Sequence, residues 1–135
     1  MSLFYQDIHA ALRSRLRTLT SVPPIAMTNW NYEPDSNQVY LRETLLPAET
    51  VKACMGSSGK DLYNGIYQVD VYAPDDTGPT TWPDKIANHF YNQALTNDDA
   101  TVRVLSISQG AGFNDDNFYI VPVSIRWRSF TAARV

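Results

Sequence analysis

Hydrophobic and polar positions alternate over the stretch VPVSIRWRS near the end of the chain. Val123, Ile125 and Trp127 fall on one side, and Ser124, Arg126 and Arg128 on the other. A period of two predicts a half-buried β-strand. The same period runs through GIYQVDVYAP, residues 65–74. There Tyr67, Val69, Val71 and Ala73 share one face, while Ile66, Gln68, Asp70 and Tyr72 share the other. TVRVLSIS, residues 101–108, predicts a further strand. PIAMTNWNY and VYLRETLL (residues 39–46) predict two more, separated by the turn-forming EPDSN and expected to pair as a hairpin or meander.

Two segments carry the helical period instead. Over residues 2–19, Phe4, Ile8, Leu12, Leu16 and Leu19 recur three or four apart beside Ala11, with Ser2 as N-cap. Arg13, Arg15 and Arg17 lie off this stripe and are expected on a solvated face. Pro23 and Pro24 end the element. Over residues 80–95, Thr81 is the expected N-cap. Pro83 and Asp84 suit the first turn, and Trp82, Ile86, Phe90 and Ala94 form a stripe flanked by Ala87. Residues 48–64 read as a long loop with one helical turn near residues 49–54, and GAGFNDDN reads as another loop. The order is α-β-β-β-α-β-β. It predicts one α+β domain over residues 1–135: a mostly antiparallel sheet of four to five strands with both helices on one face.

Pro122 interrupts the last strand. Proline cannot donate to a ladder, so an edge strand, a bulge or an outward position is expected there.

Charge changes the picture in one respect. The net charge of −3 divides into +2 over residues 1–17, +3 over residues 118–135 and −8 between them. An acidic chain is a poor partner for non-specific phosphate binding. The single cysteine, Cys54, precludes an intrachain disulfide, and no apolar run approaches the roughly 20 residues of a membrane span. The N-terminal stretch, with Asp7 and three arginines, lacks the pattern of a secretory signal.

Candidate chemistry is sparse. GSSGKD has Gly56 and Gly59 too close for a phosphate loop, with Asp61 where a hydroxyl is needed, and its spacing also fails the nucleophile elbow. His9 and His89 each stand alone on a predicted helix. Cys54 has no neighbouring ligand. Three Asp-Asp pairs fall at turns, and Asp115–Asp116 in NDDN is the best cation candidate among them. Trp30, Trp82 and Trp127 fall on core-like faces. No nucleophile, acid–base pair, metal cage or cofactor site emerges, so no enzyme is expected and the weight moves to an assembly role.

PPIAMTNWNYEP, VYLRETLLPAE, GIYQVDVYAPDDTG and VPVSIRWRS, together with the amphipathic first helix, resemble the tail terminator-like proteins of long-tailed phages, the group of the phage lambda tail terminator. The resemblance spans nearly the whole chain. It implies a homohexameric ring at the upper end of the virion tail, assembled in the host bacterial cytoplasm. Its implied partners are the tail tube protein and the head–tail connector, with DNA passing through without specific binding and no membrane contact. On this reading the candidate subunit or tube interface comprises Arg126, Arg128, Asp70, Arg42, Lys60, Asp61, Asp115 and Asp116. Arg126 and Arg128 are expected to pair with carboxylates such as Asp70 or with an adjacent subunit. Alternatives are a head-completion or neck adaptor protein and, from another class, a small enzyme or ligand-binding domain using His89.

Overall fold

Val123, Ile125 and Trp127 are fully buried, as their alternation predicts. The computed structural model describes residues 4–27, 31–35, 37–48, 51–52, 60–75, 80–97 and 100–132. In chain order the elements are α1 (Phe4–Arg17), β1 (Ile25–Ala26), β2 (Tyr40–Pro47), β3 (Val51–Lys52), β4 (Lys60–Pro74), α2 (Trp82–Phe90), β5 (Ala94–Asn97), β6 (Ala100–Gln109), β7 (Phe113–Asp115) and β8 (Phe118–Ala132). The architecture is α+β. The sheet runs β1-β2-β4-β8-β6-β5, with the short β3 on β4 and β7 on β8.

Three expectations are corrected. The sheet has more strands than the four to five predicted, and it is mixed because β1 runs parallel to β2 rather than as its hairpin partner. Within residues 48–64, the described residues 51–52 and 60–64 are strand where a loop was expected. Val51 and Lys52 pair with Leu62 and Asp61, and β4 begins at Lys60. The second helix stops at Phe90, because Asn92 takes a left-handed φ of 54° and turns the chain into β5. Ala94 is therefore a strand residue and not the fourth member of a helical stripe. Thr81 stands at the N-cap but makes no capping bond; the Thr80 hydroxyl accepts from the Trp82 N–H at 3.3 Å. Ser2, Trp30, Cys54 and Gly56–Gly59 lie outside the described residues.

β4 and β8 pair antiparallel over fifteen residues each, from Lys60↔Ala132 to Pro74↔Phe118. β2 and then β3 line the outer edge of β4. β6 and then β7 line the outer edge of β8. Pro122 sits where β6 has ended and β7 has not begun. Its carbonyl accepts from the Gly110 N–H at 2.8 Å, so its ring nitrogen faces the same break. A central strand thus tolerates a proline because its neighbour is interrupted there. The strand is not a sheet edge; the proline occupies a local one.

Both helices pack on one sheet face. Ile8, Leu12 and Leu16 of α1 and Ile86 and Phe90 of α2 close over Tyr67, Val69, Val71, Val123, Ile125 and Trp127, all fully buried. Each such side chain contributes roughly 2 kcal/mol by leaving water. Trp127 fits because Gly65 lies opposite it; a Cβ there would come within 2.4 Å of the Leu46 carbonyl oxygen and 3.0 Å of the indole.

This core also holds a charge. Glu43 points into it, its side chain fully buried. Arg13 donates to Glu43 Oε1 from Nε at 3.1 Å and from Nη2 at 2.9 Å. His9, one turn earlier on α1, contacts Oε2. Arg13 is therefore ion-paired rather than on a solvated face. Tyr67 lies in the same region, its hydroxyl held well above the usual tyrosine pKa by burial and then by the Glu43 charge. Arg15 also turns inward. Its guanidinium donates twice to the His89 carbonyl, at 3.0 and 2.8 Å, binding α1 to the negative end of α2. The third arginine, Arg17, is exposed. His89 Nε2 in turn lies 2.9 Å from the Arg15 carbonyl, which can only accept, so this nitrogen carries a proton.

Glu43→Ala leaves Arg13 without its buried counter-charge and His9 without its partner, and a loss of about 3–5 kcal/mol in chemical denaturation is expected. His89 gives a pH dependence. Burial lowers its pKa below the ordinary 6.5, so the fold favours the neutral ring. That contribution is fully present above about pH 6.5 and is lost as pH falls through the folded-state pKa. Melting curves between about pH 5 and 7 should show stability rising with pH, with a shallower rise in His89→Gln.

Candidate functional site

The face of the sheet opposite the helices carries most of the residues singled out from the sequence. Register aligns them in rows: Arg42, Asp70 and Pro122; Thr44, Gln68 and Ser124; Leu46, Ile66, Arg126 and Ser106; and Asn64, Arg128 and Arg103. One end of this face is closed by a small aromatic cluster. Tyr40 stacks on Tyr72 at 4.5 Å and meets Phe118 edge-on at 5.3 Å, with Tyr32 at 4.9 Å. Farther along, no helix among the described residues covers the sheet. A groove runs there between Leu46, Leu62, Ile66 and Leu105, with Arg126 and Arg128 at its border. A bulge in β6 between Val104 and Ser106 adds Leu105 to this side. Leu46 is 45% exposed and Leu105 46% exposed.

Asp70 is half-buried and accepts from Gln68 Nε2 at 2.9 Å. Burial raises its carboxyl pKa, partly offset by the Gln68 bond and the Arg42 charge. The expected pairing with Arg126 or Arg128 within the chain is not made. Arg126 lies opposite Ile66, four residues from Asp70, or about 13 Å along the strand. Arg42 is opposite Asp70 and lies 5.9 Å from the Tyr72 ring centroid. Lys60 and Asp61 pair through the backbone with Ala132 and Thr131, near the uncovered end. Asp115 and Asp116 are elsewhere, at the exposed turn between β7 and β8. Asp116 takes φ 51°, and Asn114 Nδ2 bonds Asp75 Oδ1 beside it. Among the described residues no group of three His, Cys, Asp or Glu side chains could hold a metal ion.

Sequence reasoning missed Arg103. It lies directly across from Arg128, so two guanidiniums share a cross-strand position two residues from Arg126. Its signal was present, since Arg103 falls out of phase with the buried Val102 and Val104. Like charges in that position repel. Among the described residues, neither Arg103 nor Arg126 has a carboxylate within ion-pair distance. The enzymatic alternative rested on His89. The ring nitrogen meets the Thr18 hydroxyl at 2.8 Å and the Arg15 carbonyl. The adjacent cleft is lined by Leu19, Thr20, Ser21, Trp82, Lys85 and Asn88, none of them acidic. No helix among the described residues is long and apolar enough to cross a membrane.

Asp70 yields a stability test with a defined sign. A raised carboxyl pKa means the fold favours the neutral form, a contribution present below about pH 3.8 and lost as pH rises through the folded-state value. Asp70→Asn should therefore stabilise the protein at pH 7 by up to about 1 kcal/mol, and the gain should vanish near pH 4. Paired melting curves at the two pH values check it.

A family model described as phage tail terminator protein matches residues 7–127. No curated protein matches the chain. One solved structure is 26% identical and superposes with a TM-score of 0.71, covering 95% of this chain and 96% of its own. The family match takes in both helices, the aromatic cluster and the arginine-bearing sheet face through Trp127. This chain belongs to the phage tail terminator family.

Proposed function

We propose that this protein forms a hexameric ring on the upper end of the tail tube, stops tube growth there and offers its outer side to the head–tail connector. The family match is the observation that carries this reading. The open sheet face agrees with it. A ring subunit needs two different contact surfaces, because a head-to-tail contact joins unlike patches and closes when its rotation returns to the start. Here one sheet face is saturated by helices, while the other keeps exposed leucines and arginines. Arg42, Asp70, Arg126 and Arg128 supply charged groups on that face, with Lys60 and Asp61 close to its uncovered end. The role needs no covalent chemistry and no cofactor. The protein acts as a virion component, with the tube protein and connector as partners. The acidic middle of the chain supplies a lumen that repels the DNA backbone, so that DNA slides through.

Tail length tests the reading. An early stop codon in this gene should give over-long, headless tails under the electron microscope. Tails of normal length beside unjoined, DNA-filled heads would instead identify a neck adaptor. Normal infectious particles would overturn both.

A further inference from the structure

We propose that the groove on the open sheet face receives the β7–β8 hairpin tip of a second copy of this chain, and that repetition of this contact builds the ring; the inference rests on the ring reading above. The groove is apolar and cationic at once, with Leu46, Leu62, Ile66 and Leu105 beside Arg126 and Arg128 and with Arg103 next to them. The hairpin tip has the complementary character. Phe113 is 52% exposed, and Asp115 and Asp116 are both exposed. Phe113 and Asp115 alternate on β7 and so share one face. An aromatic ring flanked by carboxylates matches leucines flanked by guanidiniums, which grip carboxylates through paired N–H groups.

Geometry makes the contact intermolecular. Asp115 stands opposite Phe118, eight residues from Arg126 along β8 or about 26 Å, so tip and groove of one chain cannot meet. They lie toward opposite ends of one strand, as a head-to-tail contact requires. A nucleic-acid phosphate would answer the arginines but would leave the leucines and Phe113 in water. An acidic, aromatic protein segment answers both.

Charge reversal with reciprocal rescue tests this on the purified full-length protein by sedimentation velocity, up to its solubility limit. One variant carries Arg103→Glu and Arg126→Glu; the other carries Asp115→Lys. Unchanged melting temperatures show that each is folded. The wild type should associate beyond the dimer, and each variant alone should associate at least about tenfold more weakly. An equimolar mixture should recover association, because each reversed tip then meets a groove of opposite charge. The proposal is overturned by a wild type that stays monomeric, by variants that associate normally, or by a mixture that does not recover. Loss in the arginine variant alone, with Asp115→Lys unaffected, also overturns it and assigns the groove to a different acidic segment of the neighbouring copy. Sedimentation involves no tail, so its failure leaves the tail-length result standing.

Discussion

The pairing of β4 with β8 constrains everything else in this molecule. Fifteen residues of each strand stand in fixed register, and every side chain on them is committed to one sheet face or the other. A slip of one residue would expose Tyr67, Val69, Ile125 and Trp127 and bury Arg126 and Arg128. The buried ring of Trp127 and the absent side chain of Gly65 fix that register together, because only glycine leaves room for the indole under the passing β2 backbone. Both long strands border shorter ones laid end to end. Those breaks admit features that a continuous ladder would reject, Pro122 among them.

Helix placement depends on charge as well as on apolar packing. Leucines and isoleucines bring α1 and α2 to the sheet but specify rotation and sliding only loosely. Arg13 and His9 on Glu43 set α1 against β2, and Arg15 on the His89 carbonyl near the end of α2 sets the helices against each other. These are directional bonds in a place where leaving any partner alone is costly. They confine the fold to one arrangement of its layers, and among the described residues no helix lies on the opposite sheet face.

Much of this was legible in the sequence, and the failures have physical causes. The α+β class, both helices, the strands 65–74 and 118–129 and the arginine face come from periodicity that the buried face enforces. The start of β4 was missed because Gly56, Gly59 and Asp61 read as loop, although Tyr63 continues the phase of Gly65 and Tyr67. β5 was missed because Ala94 completes a helical spacing that Asn92 had already broken. Glu43 falls on the buried phase of VYLRETLL with Leu41 and Leu45. That position calls for a cation, which Arg13 provides, with His9 one helical turn away on the other carboxylate oxygen. The distance between Asp70 and Arg126 was not legible, since register between strands depends on the chain as a whole.

The distribution of unfavourable features carries the last step. The helix-covered face satisfies its one buried charge with two partners. The opposite face keeps a half-buried carboxyl that favours its neutral form, two arginines directly opposed, and two leucines about half exposed. The half-buried carboxyl and the half-exposed leucines each cost the chain stability, and each could be removed by a single polar or neutral substitution without touching the core. Their concentration on one face sets it apart from the helix-covered face, where the apolar side chains are buried and the carboxylate is paired. One sheet face is closed by both helices, while no helix among the described residues covers the other, so a single small domain presents two unlike surfaces.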